Sequence, residues 1–253
     1  MIKWGNTTSD DVGLIVEHHP EIVLPRWRQE IIEVPGRNGD IVIPSDSFQN
    51  YEQTYEVFLD HKKLSGIEAA LPKVINWLFG VAGYQKLEDS YFPQFYRYAY
   101  YAGGSSFVNY FGEYGRGTLV FNCAPEKYYK EGSREIVLDK TGGIKPILKN
   151  PSIFNAYPLI YIKIADGQEG GKIAFNDKKV TINNLKTWMY IDVKQHTAYK
   201  NKQNLINYLI GDKDPDTGER YNIFDILTLG PETTINWSNS IEQVSITPRW
   251  WTI

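Results

Sequence analysis

Val34-Pro35-Gly36-Arg37-Asn38-Gly39-Asp40 is the stretch on which the reading of this chain turns. Pro35 fixes the backbone angle leading into a turn, Gly36 and Gly39 supply the conformational freedom a tight turn needs, and no reactive group sits among them. Short apolar runs flank it: Leu14-Ile15-Val16 and Ile22-Val23-Leu24 before, Asp40 to Pro44 and Tyr51 to Leu59 after. His-Pro and Pro-Arg pairs punctuate them, as expected of strands with tight connections. The chain closes on Ile246-Thr247-Pro248-Arg249-Trp250-Trp251-Thr252-Ile253, β-branched and aromatic residues suited to a strand that completes a sheet. Both stretches read as architecture.

Working outward, the best helix candidate is Leu71 to Phe79, with Pro72 in its first turn, Leu71, Val74, Ile75, Leu78 and Phe79 as its apolar face and Gly80 as its stop. Ser65-Gly66-Ile67-Glu68 resembles an earlier capping box, but a helix begun there would hold Pro72 in its interior. Phe92 to Ala102 and Gly117 to Pro125 read as strands. Lys130 to Ile147 gathers Gly132, Asp139, Gly142, Gly143 and Pro146 among charged residues, the composition of a domain crossing, and places domains at 1–137 and 138–253. Beyond it, Leu159 to Ile164 is a strand. Lys172 to Phe175 and Lys178 to Ile182 form a hairpin through Asn176-Asp177, and Trp188 to Val193 turns at Lys194-Gln195-His196 into Thr197 to Lys200. Closely spaced short strands without helices between them predict an antiparallel sandwich. The fold class is mainly β in two domains, the first with one short helix.

Composition narrows the function. A formal net charge of -3 removes the electrostatic attraction on which nonspecific nucleic-acid binding depends. Cys123 is the single cysteine, so no intramolecular disulfide forms and the fold must stand in a reducing cytosol. The first residues lack a stretch of signal-peptide length, and no apolar run is long enough to span a membrane, so no membrane insertion is expected. The 18 Tyr and 7 Trp exceed what a core demands and favour an interface-rich β protein.

Tested for chemistry, the chain offers little. Asp212, Asp214 and Asp216 stand at the first ligand spacings of a calcium loop, but Thr217 replaces the required glycine, Pro215 stiffens the turn, and Ile223 takes the place of the closing glutamate. An exposed turn on a long loop is the simpler reading. His18, His19, His61 and His196 lack the spacing and nearby acid of a helical zinc site. Cys123, among Val120, Phe121 and Ala124, reads as a buried strand thiol. Gly112-Glu113-Tyr114-Gly115-Arg116-Gly117 lacks the lysine of a phosphate loop and reads as a turn. No nucleophile elbow occurs. Glu52, Glu56, Asp60 and Asp192 are the acids a glycosidase would draw on. Trp188, Tyr190, Trp237 and Trp250 could serve as sugar-stacking platforms, or else pack in a core or subunit interface. No catalytic, cofactor-binding or metal residue is assigned, and no cofactor is expected.

The ordered set of Val34-Pro35-Gly36-Arg37-Asn38-Gly39, Ile75-Asn76-Trp77-Leu78 with Gly80, Gly115 to Pro125, Asn150-Pro151 with Pro158-Leu159-Ile160, Tyr190-Ile191-Asp192 with Ala198-Tyr199, and Pro248-Arg249-Trp250-Trp251 resembles the distal tail protein (Dit) family of long non-contractile-tailed bacteriophages. The resemblance implies an N-terminal ring-forming β domain and a C-terminal galectin-like sandwich. It also implies a homo-hexamer at the virion tail tip, joining the major tail tube protein to the tail fibre or tail-associated lysin and, in many phages, to a receptor-binding protein. Phage DNA would cross the lumen without specific binding, and the family's usual membership suggests a Gram-positive host. Many relatives insert a long arm in the sandwich. Here only Asn201 to Asn222 is available, which makes the Asp212 to Arg220 loop, with Asp212, Asp214, Asp216 and Arg220, a modest docking point at most. From a different class, a carbohydrate-binding module for host cell-wall sugar is the alternative, and a wall hydrolase a weaker third.

Overall fold

Tyr51 to Leu59 alternate between buried and outward-facing side chains, as a strand lying on a core must, and this strand runs through the middle of the first half of the chain in the computed structural model. The structure describes residues 1–60, 67–105, 107–110, 114–140 and 145–253. Two units are resolved, Met1–Lys127 with Ile253, and Tyr128–Thr252. The division falls upstream of the glycine-rich stretch.

The first unit contains β1 (Ile2–Trp4), β2 (Thr7–Thr8), β3 (Leu14–Val16), β4 (Trp27–Ile32), β5 (Ile41–Phe48), β6 (Tyr51–Asp60), α1 (Ile67–Phe79), β7 (Gln85–Asp89), β8 (Phe95–Tyr101), β9 (Phe107–Tyr110) and the start of β10 (Tyr114–Tyr129). Its sheet runs β2-β1-β7-β8-β10-β6-β3, with β9 also on β10, while β4 and β5, among the described residues, pair only with each other. The expected strand at Ile22-Val23-Leu24 is absent: the chain there is irregular, and Ile22 and Leu24 are exposed. Pro20 and Pro25 bracket the run and withhold the amide donors a ladder needs. Tyr114 to Gly117, read from sequence as part of a turn, instead lie in β10 and pair with β6 and β9; residues 112 and 113 lie outside the described set.

The helix differs from its sequence reading in both start and face. It is already helical at Ile67 and holds Pro72 in its interior, which removes one backbone bond that packing must offset. Residues 65 and 66 of the capping-box reading lie outside the described set. Ala70, Val74, Trp77 and Leu78 are buried, whereas Leu71, Ile75 and Phe79 are exposed. Trp77 decides the rotation, because its indole donates to the Trp4 carbonyl at 3.3 Å and its ring meets that of Trp4 edge-on at 6.4 Å. Trp4 in turn packs on Phe121 of β10.

Beneath this core lies a polar knot. Arg97 reaches Asp89 at 3.1 Å, Tyr51 Oη at 3.1 Å and Gln53 Oε1 at 2.9 Å, and Tyr55 Oη donates to Asp89 at 3.2 Å. All five side chains belong to buried residues, so each charge and hydroxyl depends on these partners in place of water. Burial pushes the Tyr51 phenol up to about 12 and the Cys123 thiol likewise to about 12, against the opposing pull of the Arg97 charge.

The second unit is a two-sheet antiparallel sandwich, as the strand spacing predicted. It contains β11 (Ile136–Val137), β12 (Ile147–Lys149), β13 (Leu159–Ile164), β14 (Gly171–Phe175), β15 (Lys178–Ile182), β16 (Trp188–Asp192), β17 (Thr197–Lys200), β18 (Gln203–Asn204), β19 (Leu209–Gly211), α2 (Ile223–Ile226), β20 (Glu232–Trp237), β21 (Ile241–Thr247) and β22 (Trp251–Thr252). One sheet runs β11-β21-β13-β16-β17-β18 and the other β12-β20-β14-β15-β19. Ile160, Ile162, Met189, Ile191 and Val244 from the first meet Ile173, Phe175, Val180, Ile182 and Ile235 from the second in one buried cluster. Each such side chain contributes about 1.5–3 kcal/mol through burial. Both predicted hairpins are present, with Asn176 and His196 in the left-handed region at their turns.

The closing run is not one strand. Ile246 and Thr247 finish β21, Arg249 turns left-handed at φ 57°, and Trp251 and Thr252 form β22. Pro248 cannot donate to a ladder, and the turn aims the Arg249 guanidinium at Asp192 of β16, with contacts of 2.7 and 3.0 Å. Trp250 is buried above Gly132, where an added Cβ would stand 2.7 Å from the Trp250 backbone nitrogen.

Candidate assembly surface

The turn that opened the sequence reading is the tip of a ribbon. β4 and β5 pair from Trp27↔Phe48 to Ile32↔Ile41 with a register shift between Trp27 and Gln29, and the loop between them closes with Gly36 and Gly39 both at φ 82° and Arg37 N–H donating to the Val34 carbonyl at 3.1 Å. Both glycines therefore hold the conformation their residue type was expected to supply. At the base, the rings of Trp27 and Phe48 lie 4.1 Å apart.

Every residue of β4 is exposed. Cross-strand partners share a face, so Ile31 and Val42 project from one side while Ile32, Ile41 and Ile43 project from the other. Ile31 is 54% exposed, Val42 51% and Ile43 46%. A ribbon apolar on both faces has no orientation that shelters it in a lone subunit, and an isolated two-stranded hairpin is marginal in water. Such a surface marks a protein–protein contact.

The same unit carries a second, chemically similar surface. Leu71, Ile75 and Phe79 recur at the spacing of one helix face, and Phe79 reaches 62% exposure. A closed ring of identical subunits needs two different complementary patches on each subunit. Ribbon and helix stripe are two separate exposed apolar patches on the first unit. Periodicity alone could not separate the helix's inner and outer faces, because α1 has apolar residues on both.

The remaining sequence candidates find ordinary places. In the 212–220 loop, Asp214 Oδ1 accepts the amides of Asp216 at 2.9 Å and Thr217 at 3.1 Å, and the Arg220 guanidinium donates to the Gly211 carbonyl at 2.9 Å. Asp212, Asp214 and Asp216 thus share one small turn, with Asp214 acting as its staple. A hydrogen bond from the Tyr221 hydroxyl, followed by the amide bonds of Thr217 and Asp216, holds the Asp214 carboxyl below its usual range. Pairing of β3 with β6 brings Glu56 within 4.0 Å of His18, so this histidine does have an acid neighbour that spacing along the chain concealed. Glu17, His18 and Glu56 place ligand-type atoms within 4.8 Å of one another, and Arg116 pairs with Glu17 at 3.0 Å. His19 lies against Tyr91, and His196 stacks on Phe224. His61 lies outside the described residues. Asp192 is held by Arg249 and Glu52 is exposed, while the Asp60 side chain lies outside the described set. Among the proposed sugar platforms, Trp237 and Trp250 are buried in the sandwich core, whereas Trp188 and Tyr190 lie half-buried on an outer face. No helix among the described residues is long and apolar enough to cross a membrane.

No protein-family model matches the chain, and no curated relative matches it. Among solved structures it is similar to the Dit protein (gp 19.1) of phage SPP1, described as a paradigm of the hub adsorption apparatus in phages infecting Gram-positive bacteria. The identity is 16%, the TM-score 0.67, and the match covers 97% of this chain and 96% of that one. A chain of the phage P2 baseplate in its activated conformation matches at 10% identity and a TM-score of 0.46, over 92% of this chain and 90% of that chain. Across both of its units, this chain has the fold of the SPP1 Dit protein.

Proposed function

We propose that this protein is the hub at the distal end of a siphophage tail, closing into a homo-hexameric ring through its first unit. The observation that carries the reading is the β4–β5 ribbon, apolar and exposed on both faces, accompanied by the separate apolar stripe Leu71-Ile75-Phe79. The ribbon of one subunit lies on the helix stripe of the next, and repetition around an axis buries both patches in every copy. The Dit likeness in fold supports the same assignment. In the virion the ring joins the major tail tube protein to the tail fibre or tail-associated lysin. It offers the 212–220 turn as a modest contact for a receptor-binding protein, and lets phage DNA pass through a lumen that is not basic, since clustered cations would hold the phosphates.

Light scattering on the purified chain, with negative-stain images of the same fractions, tests the ring. About six subunits per particle, or a stacked pair of such rings, is the expected mass. Val42→Asp combined with Ile31→Asp, or Ile75→Asp combined with Phe79→Asp, should each release folded monomers. A ring that survives both pairs of changes would rule out this geometry. Deleting residues 213–219 should weaken partner capture while leaving the ring intact.

A further inference from the structure

The outer face of the sheet β11-β21-β13-β16-β17-β18 carries an aromatic row that the sandwich core does not require. Register places Ser245, Tyr161, Tyr190, Tyr199 and Asn204 side by side across five neighbouring strands. Trp188 stands in the adjacent row, beside Lys163 and Gln243. The ring centroids of Tyr161 and Tyr190 are 5.2 Å apart and those of Tyr190 and Tyr199 5.8 Å, with Trp188 at 6.1 Å from Tyr161 and 5.8 Å from Tyr190. The inward residues of the same strands, Ile160, Ile162, Met189, Ile191 and Ala198, are fully buried. The rings therefore face outward by the strict alternation of the pleat.

We infer that this face is a binding platform for an oligosaccharide, on which pyranose rings stack against Trp188, Tyr190 and Tyr161. A sugar ring presents an apolar C–H face and a rim of hydroxyls, and needs flat aromatic surface bordered by hydrogen-bonding groups. This face has that composition. Glu135, Tyr161, Trp188 and Tyr190 line a shallow cavity of about 270 Å³, just under the roughly 300 Å³ at which pockets for drug-sized ligands begin, a scale suited to one sugar unit of a longer chain. Glu135 accepts from Ser245 Oγ at one edge. Lys200, at the other, lies 5.3 Å from the centre of the Trp188 ring and donates to Thr187 Oγ1. Acceptors and donors thus border the rings.

The face differs in composition from the ribbon of the first unit. Between Ser245 and Asn204 the row has no aliphatic side chain, whereas the β4–β5 ribbon exposes Ile31, Ile32, Val42 and Ile43. The inference rests on the chemistry of this face alone and is independent of ring assembly, so either can fail without the other.

The test applies the intact chain to an array of glucose, galactose, mannose, rhamnose and N-acetylglucosamine oligosaccharides, then titrates the strongest binder. Saturable binding is expected, with Trp188→Ala and Tyr190→Ala each losing affinity about tenfold, the scale of one stacked aromatic contact. Trp251→Ala, which removes a ring stacked instead on Phe154, should leave affinity unchanged. Should Trp188→Ala fail to fold, the indole N–H resonance of Trp188 in the unmodified protein, assigned by its loss in Trp188→Phe, must shift on titration. Absence of saturable binding to every probe overturns the inference, as does binding that neither moves that resonance nor responds to Tyr190→Ala.

Discussion

The β4–β5 ribbon of the first unit and the β14–β15 hairpin of the second are built alike and end in opposite surroundings. Each is an antiparallel pair rich in β-branched residues, and each turns through a left-handed residue, Gly36 and Gly39 in one and Asn176 in the other. In β14–β15 the inward residues Ile173, Val180 and Ile182 are at most 1% exposed, because a second sheet covers them. In β4–β5 the equivalent side chains face water, with Ile31 at 54%. Hydrophobic pattern states that a surface will be covered; only topology tells whether the cover comes from the same chain. Where the chain supplies none, as at the ribbon, the proposed ring would.

Mutations can break or sharpen that contrast. The largest loss is expected not in either hairpin but in the polar knot of the first unit: Arg97→Ala strands the Asp89 carboxylate, and urea unfolding should register a cost of about 3–5 kcal/mol. Were the effect below about 1 kcal/mol, the first unit would lack the rigid base from which an unsupported ribbon must project. Ile173→Ala in the covered hairpin should cost about 2–5 kcal/mol by the same measurement.

Alkaline pH distinguishes the units in another way. Cys123 and Tyr51 are buried in neutral form with their pKa values raised to about 12 from 9.0 and 10.0. The unfolded chain loses these protons first, so their contribution is whole below about pH 9 and drains away as pH climbs toward about 12. Circular dichroism melts over that window should show the transition of the first unit falling. Cys123→Ala should flatten the early part of the fall, and an unchanged profile would mean that the thiol is not sheltered as drawn.

Smaller effects fall on the ribbon itself. Gly36→Ala places a Cβ on a residue at φ 82° and should disfavour the hairpin tip by about 1–2 kcal/mol, read as weaker ring formation. Val42→Ala in a monomeric background should change stability by no more than about 0.5 kcal/mol, as exposed positions do. Paired with the loss from Ile173→Ala, that near-zero value would complete the comparison. A large loss would mean that the ribbon is already covered within its own subunit.

The sandwich was legible in advance because its signals are local. Asn176-Asp177 and Lys194-Gln195-His196 sit between alternating runs, and both hairpins formed where those residues require. The tip glycines were legible for the same reason. What escaped depends on contacts distant in sequence. The rotation of α1 is set by Trp77 meeting Trp4, 73 residues away, and no window of the helix itself contains that information. Pro248-Arg249-Trp250 looked like strand material, yet Arg249 turns to reach Asp192, 57 residues back. The aromatic row was half visible: Trp188 and Tyr190 were named, but Tyr161 and Tyr199 join them only through strand register, while the equally aromatic Trp237 and Trp250 point inward.

The ribbon also dictates how such a protein must be handled by the cell that makes it. An uncovered pair of strands with free edges and aliphatic faces can recruit any extended chain, native or nascent. Each new subunit is therefore a hazard until something covers its ribbon; closure of the proposed ring would end the hazard, because a closed circle leaves no ribbon unclaimed. Synthesis in bursts, which raises the local concentration of subunits, would shorten that exposed interval. Slow accumulation of lone subunits would favour disordered clumps over the proposed ring.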